Sequence, residues 1–402
     1  MKFATTLSIV VLLGISCSKA QANSSAAGLT GPTGTTTVVD CGKGQSLNAA
    51  LASMQKDGPA TVLVKGTCTE YVRVVGFEDL TLEGMPGAAL VQPNTVPGGG
   101  LLVFVLYVQA ARSVTIGGLA IHSQSSAAAG IGIGQGSLDV RLRNMTIDGA
   151  ATFDVEVFER SQVSLAYVTA RDPGYSPIGV YDVSDVHIEH CLFENTTGAA
   201  WHAGLDVGTG HVTMYATTIR NMQVGINVGV NAIVDIGAFD TYYALNGSTD
   251  VVIENSFGTN YWGASIGSGG SLNVISAKLR IINPGQSYGG ESAGVYLTGG
   301  GTLNANANLI ISGSQGQGVL VSNNSFATLT GSSITGGSHG GLVAVNLSTI
   351  AVEQSNPLTL IGGNAPDLFC DSKSQISGGA NLAGVPTVNC ANLLPGDSVN
   401  LP

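Results

Sequence analysis

The sequence predicts an all-β solenoid, a single-stranded right-handed parallel β-helix of roughly ten to twelve coils with a short N-terminal capping helix. Three observations carry this. First, a string of the form Val-x-Φ-x-x-Φ-x-Φ, Φ being mostly apolar, recurs as VTIGGLAI from Val114, VRLRNMTI from Val140, VSLAYVTA from Val163, VHIEHCLF from Val186 and VTMYATTI from Val212, at spacings of 26, 23, 23 and 26 residues. Such a unit buries its apolar side chains only by stacking on its neighbours. Second, a Φ-x-Φ string runs in phase with it: GIGIG at Gly130, DVEVF at Asp154, PIGVY at Pro177, GLDVG at Gly204 and GINVG at Gly225, continuing from Gly263, Gly294, Gly318 and Gly341. Apolar residues alternating over so short a run mark a strand with one buried face. Third, 57 glycines and only 10% charged residues argue against a helical solenoid.

The elements follow in chain order. Residues 1–22 read as a signal peptide: Lys2, an apolar stretch through Ile15, then Ala20-Gln21-Ala22, with cleavage expected after Ala22. An alternative reading takes Gly14-Ile15-Ser16-Cys17 as a lipobox, with Cys17 acylated. Residues 23–37 suit a flexible linker, and 38–402 a β-helix domain with a cap at each end. Within Gln45–Met54, Leu47, Ala50, Leu51 and Met54 stand at helical spacing, as in an amphipathic helix lying across the open end of the stack. LLVFVLYV from Leu101 falls far short of the roughly 20 residues needed to span a bilayer and reads as a buried strand, so the mature chain has no transmembrane segment. Cys41 and Cys68 flank the helix and Cys370 and Cys390 the last turn, a disposition expected to give two disulfides pinning the caps. Cys191 shares the inward position of Leu119, Met145 and Val168 and is expected to be a buried thiol. The unbroken period implies one elongated domain.

In these strings and end caps, over about residues 38 to 390, the chain resembles the pectin-lyase-like β-helix proteins. The resemblance implies a fold and a polysaccharide-linked role, but it does not extend to catalytic motifs. Polygalacturonases carry Asn-Thr-Asp, Asp-Asp, Gly-His-Gly and Arg-Ile-Lys. Here there is no Asp-Asp, Gly210-His211 is followed by Val212, and Arg280-Ile281 by Ile282. Pectate lyases set acidic Ca²⁺ ligands beside an Arg; Arg171, Asp182 and Asp206 are the residues here that imitate such a set, without the local motif. There is no metal-binding HxH or HExxH, no phosphate loop and no nucleophile elbow. No metal or cofactor is therefore assigned, apart from Ca²⁺ as a bridge to a polyuronate.

Without residues 1–22 the chain has 13 basic and 26 acidic groups, a formal charge of −13. That surface repels nucleic acid, so the expected partner is a polysaccharide or cell-surface glycan, met as a secreted or cell-surface protein, lipid-anchored on the alternative reading. Oligomeric state is not legible. Residues 139–221 hold 16 of the 41 charged residues and four of the six His, His187, His190, His202 and His211, together with Trp201. This marks one stretch of coils as the place for chemistry.

Stacking turns columns into distances, equivalent residues on adjacent coils lying about 4.8 Å apart. In the second string the outward residue is Gly132, Glu156, Gly179, Asp206 and Asn227 in successive coils. Glu156 and Asp206 thus face one side two coils apart, about 10 Å between Cα atoms, with bare Gly179 leaving room for a sugar ring. Paired carboxylates about 6.5 to 9.5 Å apart serve inverting glycoside hydrolysis, so Glu156 and Asp206 are the candidate catalytic pair, with Arg171 and His202 assisting. Trp201, Asp182, His187 and Glu189 are the candidate substrate contacts, Trp201 as a stacking face. In a second column, His122, Asp148, Arg171, Glu194 and Arg220 alternate in a pattern that also fits a ladder of ion pairs. Two functions remain: a polysaccharide hydrolase or lyase, or a noncatalytic structural or adhesive surface protein. Convergence of Glu156, Asp182, Asp206 and Trp201 in one groove separates them.

Overall fold

The computed structural model describes residues 34–95, 103–123, 128–197, 203–237, 249–256, 261–285, 292–306, 308–384 and 387–390. The signal-peptide, lipobox, Trp201 and His202 expectations fall outside them. Over the described residues the chain winds as a parallel solenoid with three strands per coil. One face is a sheet of 13 strands, from Val72–Val75 to Val388–Cys390, built from the Φ-x-Φ strings. The other two faces join into one sheet of 25 strands, because Val140–Asp148 and Gln162–Arg171 run unbroken through the corner between them. Val140, Val163, Val186 and Val212 are register partners in successive coils, so the repeat stacks in the phase its sequence sets. One boundary moves: the first strand, Thr35–Asp40, begins inside the stretch expected to be linker, drawn in by parallel pairing with Ala60–Lys65.

At the N-terminal end the edge of the 13-stranded sheet is closed by side chains rather than by another strand. The helix Leu47–Ser53 is capped by Ser46 and buries Leu47 and Leu51 on the first coil. Glu70 reaches its N-terminus, accepting hydrogen bonds from the Leu47 and Asn48 amides and the Ser46 hydroxyl, the favoured end for a carboxylate. Asn48 then mimics a strand: its Nδ2 donates to the Tyr71 carbonyl at 2.7 Å and its Oδ1 accepts from the Arg73 amide at 3.0 Å, pairing the free edge of Val72–Val75. Disulfides Cys41–Cys68 and Cys370–Cys390 pin the two ends as expected. Cys191 is buried and free, its thiol pushed up to about 12 by burial.

One contact fixes how the faces meet. Gly204, Gly225, Gly263, Gly294 and Gly318 on the 13-stranded sheet face Ile219, Ile253, Ile281, Ile311 and Ile334, and a Cβ on any of these glycines would lie 2.2 to 2.5 Å from the facing Ile Cγ2. Only glycine admits so close an approach. The column is broken at Asp154, in register with Gly130, and at that level the partner of Ile147 is Ala170. A large residue has replaced glycine where a small one has replaced isoleucine. Asp154 is fully buried, neither carboxyl oxygen makes a well-formed hydrogen bond, and burial holds its carboxyl well above the ordinary range.

A double-mutant cycle tests this exchange. Ala170→Ile alone is expected to lower stability by about 1–3 kcal/mol through overpacking against Asp154. Adding Asp154→Gly should reverse the loss and leave the double variant more stable than wild type at neutral pH, the two changes coupling strongly in thermal midpoints. Because the folded-state pKa lies above the unfolded 3.8, the stability contributed by the Asp154 carboxyl is full below that value and lost as pH rises through the raised one. The gain from removing it should therefore grow as pH rises from 3.8.

Candidate functional site

The outward column of the 13-stranded sheet stands as its sequence sets it: Tyr107, Gly132, Glu156, Gly179, Asp206 and Asn227 are successive register partners. What fills the space above the glycines differs from expectation. A Cβ on Gly132 would lie 2.6 Å from the Phe104 ring, and one on Gly179 would lie 2.7 Å from Phe153 and 2.9 Å from Tyr181. The gap over Gly179 is thus roofed by Phe153 and Tyr181, which leave no place there for a sugar. The column glycines are seats for aromatic rings.

Those rings build a groove beside Glu156. Phe104, Tyr107 and Phe158 stack with centroids 5.0 to 6.1 Å apart, and Phe153 meets Tyr175 and Tyr181 edge-on at 5.1 and 5.7 Å. The groove encloses about 1150 Å³ and is also lined by Tyr71, Arg73, Glu156 and Asp182. Arg73 lies at one end, its guanidinium 6.0 Å from the Tyr107 ring centre and bonded to Gln109. Glu156 sits on the floor, only 9% exposed, with Oε2 buried and unpartnered. Burial, and secondarily the Asp182 charge, push its carboxyl up to about 7. A group with that pKa in an aromatic-walled cleft can hold a proton at neutral pH and give it up.

The other candidates are placed elsewhere. Both Asp206 oxygens are engaged, Oδ2 by the Tyr181 hydroxyl at 2.5 Å and Oδ1 by Asn227 Nδ2 at 2.8 Å, so Asp206 fixes Tyr181 instead of facing Glu156 across an open gap. Arg171 lies on the 25-stranded sheet, where Glu194 accepts from Arg171 and Arg220, and His122 meets Asp148 at 2.7 Å: the alternating column is an ion ladder. Arg171, Asp182 and Asp206 therefore do not assemble as a Ca²⁺ set. His187 and Glu189 lie on that sheet too, Glu189 accepting from Tyr215 with His187 3.9 Å away. Beside them Tyr167 and His190, both at positive φ, stack at 4.9 Å. Of the described candidates, Glu156 and Asp182 meet in the groove. The ring residues Tyr71, Phe104, Tyr107, Phe153, Phe158, Tyr175 and Tyr181 were not among the predicted contacts. Their signal was present as aromatics crowded around Gly132 and Gly179, the two bare positions of the column.

His211 stands between Asp185 and Asp235, with Nδ1 3.1 Å from one carboxylate and Nε2 3.0 Å from the other. These bonds push its pKa up to about 10. Both nitrogens carry protons at neutral pH, which leaves no lone pair for base catalysis and makes the residue a clasp across three coils. Since the folded value lies above the ordinary 6.5, the stabilisation is complete below that pH and lost as pH rises through about 10. His211→Gln is expected to lower stability at pH 7 by about 1 kcal/mol, a figure kept small by the exposure of the imidazole. In paired melts the difference from wild type should close in strongly alkaline buffer.

Residues 104–236 match the family described as "Right handed beta helix region", which accords with the solenoid and gives its hand. No curated protein matches the chain in sequence. Among solved structures it is similar to the catalytic domain of a GH87 α-1,3-glucanase in complex with tetrasaccharides, at 12% identity over 90% of this chain and 70% of that one, TM-score 0.47. It is similar also to PfbA, a surface adhesin of Streptococcus pneumoniae, at 11% identity over 85% and 92%, TM-score 0.40. A third is alginate lyase from Paenibacillus sp. str. FPU-7, at 12% identity over 88% and 99%, TM-score 0.37. These likenesses concern the backbone architecture.

Proposed function

We propose that the protein binds a polysaccharide in the aromatic groove and cleaves it there, with Glu156 as proton donor. The observation that carries this reading is a carboxyl with a pKa of about 7 on the floor of a cleft walled by seven aromatic rings. Aromatic faces stack on the apolar faces of sugar rings while hydroxyl and amide groups at the rim meet their polar edges. In the step we propose, Glu156 gives its proton to the glycosidic oxygen as the C–O bond breaks. Water adds to the anomeric carbon, and Asp182, the second carboxylate of the groove, takes the proton that the water loses. Each cleavage consumes one water and yields two chain ends.

A noncatalytic reading has its own support. Asp206 and Arg171 are bound into hydrogen bonds and ion pairs, so two of the expected reactive groups have structural work. On that reading the groove holds a glycan at the cell surface without cutting it. For either function the folded domain acts outside the cytoplasm: its two disulfides suit an oxidising compartment. No helix among the described residues is long and apolar enough to cross a membrane.

Reducing-end release from neutral and uronic polysaccharides, with and without Ca²⁺, tests catalysis. Activity should fall as pH rises through about 7, following loss of the Glu156 proton. Glu156→Gln should reduce turnover by about 100-fold or more while retaining glycan binding by calorimetry, and Asp182→Asn should also slow turnover. Binding without release of ends would establish the noncatalytic reading, and silence in both assays would remove the glycan function.

A further inference from the structure

Beyond Glu156 the same sheet face continues, and the next five strands carry the outward positions up to Tyr296. The outward column runs on from Asp206 through Asn227 and Ser265 to Tyr296. The next outward column, in step with Val180, Val207, Val228 and Ile266, reads Tyr181, Gly208, Gly229 and Gly267. A Cβ on Gly267 would meet nothing nearer than Thr298 at 3.7 Å, so the floor there is open. At the far end Trp262 and Tyr296, both partly exposed, stack with ring centres 4.9 Å apart and planes 25° from parallel. Between Asp206 and this pair the outward side chains, Val224, Asn227 and Ser265, are uncharged. Gly208 lies under the Tyr181 ring, so the face is a shallow trough whose floor is Gly229 and Gly267, with the Asn227 amide and the largely buried Ser265 along one side and aromatic rings at both ends.

We infer that this trough is an extended binding site for a long, uncharged glycan chain, with Trp262 and Tyr296 as a distal platform. The inference rests on the groove reading proposed above and adds to it the direction, length and charge of the ligand. Trp262 lies four strand spacings from Glu156 and Tyr296 five, about 24 Å along the solenoid axis for the latter. A ligand touching both ends must be a polymer running along that axis, since a short oligosaccharide in the groove cannot reach Tyr296. Among the described residues the outward positions between the ends give a uronate no cation to pair with, while Asn227 offers a partner to sugar hydroxyls. Asp206, tied to Tyr181 and Asn227, adds a negative charge at the near end that further disfavours an anionic chain.

Calorimetry with the mature protein tests this, using gluco-, xylo-, manno- and galacto-oligosaccharides and oligouronates, each as a tetrasaccharide and as a dodecasaccharide. For the neutral series that binds, the longer chain should bind about tenfold or more tighter than the shorter. Trp262→Ala and Tyr296→Ala should each remove that gain and leave tetrasaccharide affinity unchanged. Trp262→Phe and Tyr296→Phe should keep it, and these two serve if an alanine variant fails to fold. Tyr107→Ala should weaken both lengths. The distal platform is overturned if the alanine variants bind both lengths as wild type does, if they lose both equally, or if uronates gain more from length than neutral chains. In those cases the groove reading stands as long as Tyr107→Ala still weakens binding of both lengths. If no chain of either length binds, or binding ignores Tyr107→Ala, the groove reading fails and the trough with it.

Discussion

From Gly204 to Gly318 the placement of surface groups on this solenoid depends on a core contact, the seating of one glycine column against one isoleucine column. Because each such glycine lies where a Cβ would strike the facing Ile Cγ2, each coil can settle on the next in only one register. A slip of one residue would turn every strand inside out. With the register locked, Asp206, Asn227 and Tyr296 fall in line on one face although they are far apart in sequence. The outer chemistry is therefore a consequence of an inner fit.

The same fit explains why much of the fold was legible in the sequence. Period, strand positions, cap helix and disulfides follow from spacing alone, and the column Gly132, Glu156, Gly179, Asp206, Asn227 came out in its true order. Period, however, says which residues share a column and nothing of where long side chains lean. Phe104 leans over Gly132, and Phe153 and Tyr181 over Gly179, and these rotamers convert an apparent opening into an aromatic wall. Tyr71, Arg73 and Tyr107 come from coils before the charge-rich stretch, so the concentration of charge does not point to them.

Charge concentration had a different cause. On the 25-stranded sheet, residues of opposite sign occupy successive levels of one column, while His211 meets Asp185 in its own column and reaches diagonally to Asp235, two residues along on the next level. In a parallel stack like charges in a column would sit one strand spacing apart and repel, so a column that carries charge at all must alternate or be diluted with amides. The relay from Asp235 through Asn273 to Asn304 shows the dilution, each amide donating to the level before it. Isolated carboxyls are left to positions where burial suppresses their charge, as at Glu156 and Asp154.

Asn48 has a consequence at the level of assembly. A parallel solenoid is close kin in hydrogen bonding to a cross-β fibril, and an open terminal strand is a template on which another chain can add. Here the donor at Arg73 and the acceptor at Tyr71 are already held by a side-chain amide whose own backbone belongs to a helix. A newcomer strand would have to evict Asn48 and unseat the helix that buries Leu47 and Leu51. At this end the 13-stranded face resists templated growth, and one amide occupies the place a further strand would take.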